Sequence, residues 1–529
     1  MRFFNTAGPV DCQRHYCIPP LERLDLDETL SLIDQWKYFV LHAPRQTGKT
    51  TCLLALMAHL NQTGRYRTLY ANIEAAQASR ERVEHGIPTV VQAIALRAKD
   101  MLGDAQAKPL ADAVLASTRP DLALDAFLSA WSEASSLPTV LLLDEVDALV
   151  GDTLISLLRQ LRGGYDKRPA RFPQTIILCG VRDVRDYRIH SSTEKAIITG
   201  GSAFNIKAKS LRLGDFSRGE FERLYAQHTA ETGQAFEPDA LDAAWEISCG
   251  QPWLVNALGY ETCFEVKEGC DRSRPVTGTR VYEAKENLIL RRETHLDQLA
   301  DKLKEERVRR VIGPLLEGEE LDEFALGEDI QYVLDLGLIR GGASGPQIAN
   351  GIYREIIPRE LTYITQLNLE ARIDPAWYIL PDGRLDMPKL LAAFQEFFRE
   401  HSEHWVERFD YKEAGPQLLM QAFLQRIVNG GGRIEREYGL GRRRTDLLVV
   451  WPVAGERLQK VVIELKVVHD GRESTIKEGL PQTVAYMDRC GAPEGHLVLF
   501  DRDPLKPWEE KLFRREEAHG RQRITVWGM

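Results

Sequence analysis

The stretch KYFVLHAPRQTGKTTCLLALMAHL, residues 37–60, decides the fold of the first part of the chain. Its first residues are aromatic and aliphatic, which predicts a buried strand, and its last residues predict an apolar helix. Residues 43–50 form the loop between them. Backbone N–H groups at the start of a helix bind anions, and Gly48 lets an anion approach the backbone closely. The stretch therefore predicts a strand–loop–helix unit that binds phosphate groups.

The loop matches the pattern GxxxxGK[ST] of nucleotide-binding P-loops, with Ala43 in place of the first glycine. In this pattern Lys49 reaches the β- and γ-phosphates of ATP, and the Thr50 hydroxyl is a ligand of Mg²⁺. The sequence therefore predicts ATP and Mg²⁺ as cofactors. The residues expected to contact the nucleotide are Ala43, Pro44, Arg45, Gln46, Thr47, Gly48, Lys49, Thr50 and Thr51.

A second apolar strand ends in two carboxylates. TVLLLDEVDAL, residues 139–149, places Asp144 and Glu145 directly after four apolar residues, as in a Walker B strand of a parallel sheet. We expect Asp144 to hold Mg²⁺ through water. Glu145 is then placed to polarise the attacking water as general base.

Arginines near this predicted site have two interpretations. Arg182 ends the strand QTIILCGVRDVRDY, residues 174–187, and could reach a γ-phosphate as sensor residues do. The alternative is a salt bridge to Asp183 or Asp186. Arg159 and Arg162, on the helix after the Walker B strand, are interpreted as a solvated helix face, with arginine fingers acting on a neighbouring subunit as the alternative.

These motifs resemble the STAND and AAA-like P-loop ATPases of bacteria. The resemblance implies a helical lid. Its first helix would begin within SRGEFERLY, residues 217–225, with a capping box formed by Ser217 and Glu220. SCGQPWLVNAL, residues 248–258, matches the GxP motif of that lid, in which Pro252 would help to sense the nucleotide. Without the resemblance, the same residues predict only the start of a helix with a proline near its first turn.

The stretch EDIQYVLDLGLIRGGASGPQIANGIYREII, residues 328–357, predicts a helix, a short strand, a glycine-rich turn and a strand. It is similar to the winged helix that follows the lid in these ATPases. Acidic residues crowd its presumed second helix and would repel phosphate, so we interpret it as a regulatory packing module rather than a DNA reader. They are Glu323, Glu328, Asp329 and Asp335.

VVIELKVV, residues 461–468, predicts a strand buried on both sides, although Glu464 and Lys466 lie two apart on one face of it. Burial of a charge without a partner is costly. This strand is the third of three predicted strands (433–439, 445–452 and 461–468), which follow a predicted helix (416–429). A further helix (480–491) and a last strand (495–502) come after it. With Asp446 entering one strand and Glu464-x-Lys466 on the next, this order resembles the core of a PD-(D/E)xK nuclease.

The spacing has a chemical reason. Asp446 and Glu464 on adjacent strands could share a hard divalent cation, Mg²⁺ or Mn²⁺. Such a metal polarises the scissile phosphate and lowers the pKa of a bound water. Lys466 could orient that water and offset developing negative charge. The acid and the base thereby offset each other's desolvation.

Further residues extend the resemblance. Gln482 and Tyr486, at i and i+4 on one helix face, match the QxxxY motif of RecB-like members, or form a helix–sheet packing pair. Residues 442–444 are three arginines, available for phosphate contacts or part of a solvated hairpin. The family often carries an additional glutamate on its first helix. In this sequence Glu413 lies just before that helix and Gln417 lies in its first turn, and Glu437 on the following strand could substitute, so the identity of this residue stays open.

Composition sets limits on these interpretations. The 529 residues exceed what one core supports, and a 43% hydrophobic and 28% charged share is typical of soluble proteins. The net charge of −10 arises before about residue 370, which disfavours a large nucleic-acid footprint there. No apolar run of membrane-spanning length occurs, so we expect a cytoplasmic protein. Cys12 and Cys17 could pair or bind a metal, but the eight scattered cysteines are interpreted as free thiols.

The predicted fold class is a multidomain α/β protein. Its expected parts are a P-loop ATPase core with a parallel sheet (1–215), a helical lid (216–293), a winged-helix domain (294–370), a helical connector (371–410) and an α/β PD-(D/E)xK nuclease-like domain (411–529). The predicted function is an ATPase that controls a metal-dependent nuclease acting on nucleic acid, DNA above all. By resemblance, it serves in defence against foreign DNA and assembles as a homo-oligomer on activation.

Two alternatives remain. One is a nucleotide-dependent signalling switch whose nuclease-like domain binds nucleic acid or a partner without cutting. The other is a DNA motor, which the acidic first part of the chain and the lack of helicase-type motifs disfavour.

Overall fold

The computed structural model describes residues 1–183, 188–191, 196–199, 204–291, 301–317, 323–342, 345–357, 378–408, 419–421, 423–424, 432–439, 444–453, 457–468, 471–501, 503 and 505–529. They fall into two units. The first contains Met1–Leu288 and Asp335–Gly337, and the second contains Ile289–Leu334 and Leu338–Met529. None of the helices in these ranges combines the length and the hydropathy needed to span a membrane.

The first unit is built on a five-stranded sheet in the order β2-β3-β4-β1-β7, with every pair parallel. The strands of this unit are β1 (Tyr38–His42), β2 (Arg67–Asn72), β3 (Thr139–Asp144), β4 (Thr175–Gly180), β5 (Arg188–Ser191), β6 (Ala196–Thr199) and β7 (Lys207–Arg212). Strands β5 and β6 form a separate antiparallel pair. The three strands predicted around residues 38–42, 139–144 and 174–180 are confirmed.

Helices cover both faces of this sheet because its central strands are apolar on both sides. The helices are α1 (Leu26–Asp34), α2 (Lys49–Gln62), α3 (Val83–Leu102), α4 (Ala107–Ser117), α5 (Pro120–Glu133) and α6 (Gly151–Gly163). The P-loop follows β1 directly and its last residues, Lys49 and Thr50, begin α2, so the loop lies at the carboxyl end of β1. Ligands bind at this edge of parallel α/β sheets.

The segment predicted as a lid is helical where it is described. It contains α7 (Arg218–Thr232), α8 (Pro238–Ser248), α9 (Pro252–Tyr260), a π-helical turn (Glu261–Glu265) and α10 (Gly278–Leu290). The predicted capping box is confirmed, since the Ser217 hydroxyl accepts from the Glu220 N–H and the Glu220 carboxylate accepts from the Ser217 N–H. Pro252 is the first residue of α9, as predicted for a proline in a first turn.

The first eighteen residues pack against these helices. The ring of Phe4, which is fully buried, lies 5.1 Å from that of Tyr225 on α7, and the Tyr16 hydroxyl lies 3.2 Å from Nδ1 of His228. Cys12 and Cys17 form a disulfide, with Cα atoms 5.4 Å apart, so the interpretation of this pair as free thiols is wrong. A turn in which the His15 N–H donates to the Asp11 carbonyl brings them together, and spacing alone does not reveal such a turn.

The second unit begins with α11 (Glu306–Glu317), α12 (Glu323–Asp335) and the antiparallel pair β8 (Ile339–Gly342) and β9 (Gly345–Ile348), followed by a helical turn over 351–357. The helix and hairpin predicted for 328–357 are therefore present. Asp329, one of the acidic residues of α12, pairs with Arg307 at 3.3 Å and Arg310 at 2.8 Å.

The rest of the second unit surrounds a six-stranded sheet in the order β10-β11-β12-β13-β15-β14. Its strands are β10 (Arg433–Gly439), β11 (Arg444–Val453), β12 (Arg457–Val467), β13 (Glu494–Phe500), β14 (Phe513–His519) and β15 (Gln522–Gly528). The helices of this part are α13 (Met387–Arg408), α14 (Arg472–Cys490) and α15 (Trp508–Lys511). Strands β12, β13 and β15 run parallel, and the other neighbours are antiparallel.

Helices pack on both faces of this second sheet. Helix α14 covers one face with a cluster that includes Val462 and Tyr486, and α13 covers the other with a cluster that includes Ile463 and Phe394. Helix α14 begins eight residues before the predicted start at Leu480, because Pro481 lies inside the helix rather than in its first turn. The predicted strands are confirmed, and β14 and β15 extend the sheet beyond them.

Candidate functional site

The P-loop is organised around Lys49. Its Nζ donates to the carbonyls of Ala43 and Pro44, each at 2.9 Å, so the ammonium spans the loop. The Thr47 hydroxyl also donates to the Pro44 carbonyl, at 2.9 Å. Side chains of the loop itself thus bind the carbonyls of Ala43 and Pro44. Because these oxygens are occupied, they oppose less strongly the binding of an anion by the N–H groups of the loop.

The backbone of the loop supports the same conclusion. Gln46 and Gly48 have positive φ angles of 57° and 94°. Residues in the left-handed region turn neighbouring N–H groups to one side and create a concave anion site. Gly48 is suited to this position because its φ lies in the region that side chains rarely adopt.

Asp144 lies at the end of β3, fully buried and fixed by three donors. Oδ2 accepts from the Thr50 hydroxyl at 2.7 Å and from the Tyr70 hydroxyl at 2.9 Å, and Oδ1 accepts from the Glu145 N–H at 3.0 Å. Oxygen donors side by side at a P-loop fit a hard cation such as Mg²⁺. The structure therefore brings together the two residues predicted to hold Mg²⁺.

Tyr70 was not predicted from the sequence. It lies on β2, whose register places Asn72 opposite Asp144, and its hydroxyl reaches the carboxylate from the neighbouring strand. Burial and the Asp144 carboxylate raise the pKa of Tyr70, which keeps the hydroxyl protonated as a donor. A tyrosine near the carboxyl end of an apolar strand was the available signal, but the sequence does not show which strand is its neighbour.

Glu145 follows β3 in the left-handed region, with φ of 59°. Burial and the adjacent Asp144 carboxylate raise the pKa of Glu145, while Lys49 lowers it. A non-glycine residue held at positive φ is strained and is found most often where its side chain has a specific task. The position supports the predicted role of Glu145 as general base.

This pKa shift predicts the pH dependence of ATP hydrolysis. A base must be ionised to accept a proton, so we expect activity to fall on acidification at a pH above the ordinary pKa of glutamate. Glu145→Gln should bind ATP with unchanged affinity and hydrolyse it at least about a hundredfold more slowly. The measurement is a pH–rate profile of ATP turnover with a parallel binding assay. If Glu145→Gln hydrolyses ATP at a rate within threefold of wild type, Glu145 is not the general base.

The remaining predicted residues of this region are placed as follows. Arg182 follows β4, and its neighbour Asp183 binds Nζ of Lys207 through both oxygens at 2.6 Å, whereas Asp186 lies outside the described residues. The Thr51 hydroxyl accepts from the Val10 N–H at 3.1 Å. Arg159 and Arg162 are exposed on α6. The contact of Arg182 with a γ-phosphate stays a prediction.

A second group of predicted residues lies on the sheet of the second unit. The register places Asp446 of β11 directly opposite Glu464 of β12, and Glu437 of β10 directly opposite Asp446. Residues directly opposite each other in antiparallel strands share one face of the sheet. These three acidic positions therefore form one row across three adjacent strands.

Glu464 and Lys466 are buried in this sheet, with 0% and 4% of their surfaces exposed. Nζ of Lys466 lies 3.4 Å from Oε1 of Glu464 and 4.0 Å from Oε1 of Glu478 on α14. Because a buried charge is tolerated when it is paired, the pair explains how an acid and a base occupy a core strand.

Gln482 and Tyr486 lie on α14, over this sheet. Tyr486 is buried in the cluster that contains Val462, two residues before Glu464 on β12. Within the described part of the chain, Oε1 of Gln482 is buried without a hydrogen-bond partner. Glu413, Gln417, Arg442 and Arg443 lie outside the described residues, and the side chains that are described contain no metal-binding cluster of three acidic, histidine or cysteine residues.

A match to a family model agrees with the geometry of the P-loop. Residues 34–187 match a family model described as an AAA domain. Among solved structures, the chain is similar to the Walker-type ATPase paby2304 of Pyrococcus abyssi, with 14% identity, a TM-score of 0.45, and coverage of 67% of this chain and 99% of that chain. No curated protein matches the chain.

Two further solved structures are similar. Cdc6p from Pyrobaculum aerophilum has 12% identity and a TM-score of 0.36, with coverage of 66% of this chain and 95% of that chain. The RuvB Holliday junction branch migration motor of Thermotoga maritima has 14% identity and a TM-score of 0.32, with coverage of 64% of this chain and 94% of that chain.

The family match and the P-loop geometry define the class of the first unit. Residues 34–187 contain an AAA-type P-loop ATPase domain. Domains of this class bind ATP, usually with Mg²⁺, and hydrolyse it.

Proposed function

We propose that the chain is an ATP-controlled nuclease, in which the P-loop ATPase domain regulates a metal-dependent PD-(D/E)xK site on the second sheet. The substrate is a nucleic-acid phosphodiester, DNA above all. The observation that carries the proposal is the buried pair of Glu464 and Lys466 on β12, with Asp446 directly opposite Glu464 on β11. A charged pair in a core strand costs desolvation and does not itself favour stability, so a functional reason is needed.

In the ATPase domain, the residues of the P-loop have separate roles. The N–H groups of residues 46–51 bind the phosphates, and Lys49 leaves its two carbonyl contacts to reach the β- and γ-phosphates. Thr50 and Asp144 would hold Mg²⁺, which neutralises charge on the phosphate oxygens when it is bound. Glu145 takes the proton of the attacking water.

At the second site, Asp446 and Glu464 would hold Mg²⁺ or Mn²⁺, with Glu437 as a third acidic position in the same row. Such a cation supplies Lewis-acid polarisation of the scissile phosphate when it is bound. Lys466 donates to the attacking water or to a phosphate oxygen and offsets the negative charge that develops there. Gln482 and Tyr486 position the substrate strand or the Lys466 side chain from α14.

The acidic row also favours this function over simple packing. Like charges directly opposite each other in adjacent strands are destabilising, and the register aligns three acidic positions in this way. A divalent cation bound at these positions would offset that repulsion. The alternative is a signalling switch in which the same residues bind nucleic acid or a partner without cutting.

The proposal is tested by cleavage of labelled single- and double-stranded DNA and RNA with Mg²⁺ or Mn²⁺, with and without ATP. We expect Glu464→Gln to reduce cleavage at least about a hundredfold, because the substitution replaces a charged metal ligand by a neutral amide of the same size. Glu478→Gln is the matched control, since this exposed carboxylate also lies near Lys466. Lys49→Ala should remove the dependence of cleavage on ATP.

Two outcomes would count against the proposal. Equal cleavage by wild type and Glu464→Gln would show that the acidic row is not the active site. Nucleic-acid binding without cleavage of any substrate, by a protein that hydrolyses ATP, would favour the switch.

A further inference from the structure

Arg23 connects the P-loop to the segment that leads into the lid helices. It ends a short 3₁₀ helix, Pro20–Arg23. Its Nη1 donates to the Thr47 carbonyl at 2.5 Å and its Nη2 donates to the Gly214 carbonyl at 2.7 Å. The guanidinium also lies over the ring of Phe216, 4.7 Å from its centroid. One planar group thus touches the phosphate-binding loop and the entry to α7.

The contact with Thr47 sets the direction of an N–H group that binds phosphate. The Thr47 carbonyl and the Gly48 N–H belong to one planar trans peptide, so they point in opposite directions. Because Arg23 binds the carbonyl, the Gly48 N–H points away from the guanidinium. A phosphate bound by this N–H, as proposed for the P-loop, would therefore hold the peptide in the orientation that Arg23 favours.

The contacts with Gly214 and Phe216 reach the GxP motif. The Phe216 N–H donates to the Gly250 carbonyl at 2.8 Å. A Cβ at Gly250, whose φ is +81°, would lie 2.2 Å from the Phe216 carbonyl oxygen, so only glycine allows this approach. Gln251 follows and caps α9 by accepting from the Leu254 N–H at 2.6 Å.

We infer that Arg23 is a positioning residue that couples nucleotide occupancy of the P-loop to the lid. The path runs from the Thr47–Gly48 peptide through the guanidinium to Gly214 and Phe216, and from Phe216 to Gly250. Binding of the phosphates fixes the peptide, and the guanidinium carries that constraint to the entry of α7 and the start of α9. The inference rests on the ATPase part of the proposed function.

Two variants of Arg23 distinguish coupling between the P-loop and the lid from an effect on stability alone. Arg23→Gln removes the charge and the paired donors, and Arg23→Lys keeps the charge but cannot hold two carbonyls and stack on a ring at the same time. Arg218→Gln is the matched control, because Arg218 also stacks on a phenylalanine and forms ion pairs within the lid, with Glu222 and Asp242. Hydrogen exchange of the amides of residues 214–217 and 250–254 is measured with and without a non-hydrolysable ATP analogue, together with analogue affinity and melting temperature.

We expect Arg23→Gln to bind the analogue about tenfold more weakly, since a hydrogen bond from a charged donor is lost. At saturating analogue, both Arg23 variants should lose the nucleotide-dependent protection of residues 250–254, and Arg218→Gln should keep it. Full protection in Arg23→Gln at saturation would overturn the inference, and so would unchanged affinity together with unchanged protection. A wild-type chain that binds no analogue would overturn the ATPase assignment, and the inference with it.

Discussion

Lys49→Ala is expected to reduce ATP hydrolysis by at least about a hundredfold, the effect of removing a charged group that stabilises a phosphoryl-transfer transition state. In the structure, Nζ of Lys49 donates to the carbonyls of Ala43 and Pro44 in its own loop, each at 2.9 Å. Because these two hydrogen bonds are lost, the variant should also melt at a lower temperature than wild type in the absence of nucleotide. The measurement is steady-state phosphate release at saturating ATP.

Ligand-dependent stability distinguishes loss of binding from loss of chemistry. At a concentration one hundred times its dissociation constant, ATP should stabilise the wild-type fold by about 2.7 kcal/mol, and Lys49→Ala should lose most of this shift. Lys99→Ala, at an exposed lysine of α3, is the control and should behave like wild type. Phosphate release by Lys49→Ala within fivefold of wild type would mean that the loop does not act as a P-loop.

Lys466→Met is expected to produce the largest loss of stability among the substitutions considered. It leaves the fully buried carboxylate of Glu464 without its lysine partner at 3.4 Å, in a row with two other acidic positions. Removal of one member of a buried ion pair costs about 3–5 kcal/mol. Urea unfolding of metal-free protein measures this change. Lys477→Met, at an exposed lysine of α14, is the control.

The same experiment tests whether the row binds a cation. Mg²⁺ or Mn²⁺ should restore part of the stability of Lys466→Met, because a bound cation replaces the missing positive charge. A double variant, Lys466→Met with Glu464→Gln, should unfold closer to wild type than Lys466→Met does. If neither the metal nor the second substitution restores stability, the pair is not electrostatically coupled and the proposed metal site loses its main support.

The P-loop and the Walker B strand were predictable because their chemistry is local. Residues 43–51 are contiguous, and a loop between an apolar strand and a helix has few alternative conformations, so the pattern alone predicted the strand, the loop and the helix. Asp144 followed from an apolar run that ends in a carboxylate. The strands of the second sheet were predictable for the same reason, since their apolar runs are short and bounded by turns.

Contacts between distant segments were not predictable. Tyr70 reaches Asp144 from the adjacent strand, and Arg23 reaches Thr47 and Gly214 across 24 and 191 residues of sequence. The sequence contains these residues but not the strand order that brings them together. The Cys12–Cys17 disulfide and the early start of α14 were missed because each depends on how a turn or a proline is accommodated by its surroundings.

The row formed by Glu437, Asp446 and Glu464 draws on three separate strands, β10, β11 and β12. A divalent cation takes several oxygen ligands at once, so one ion held by this row would link the three strands. In the proposed nuclease, metal loading would then stabilise the fold of the second unit as well as supply its chemistry, and this stabilisation would grow with the concentration of free magnesium.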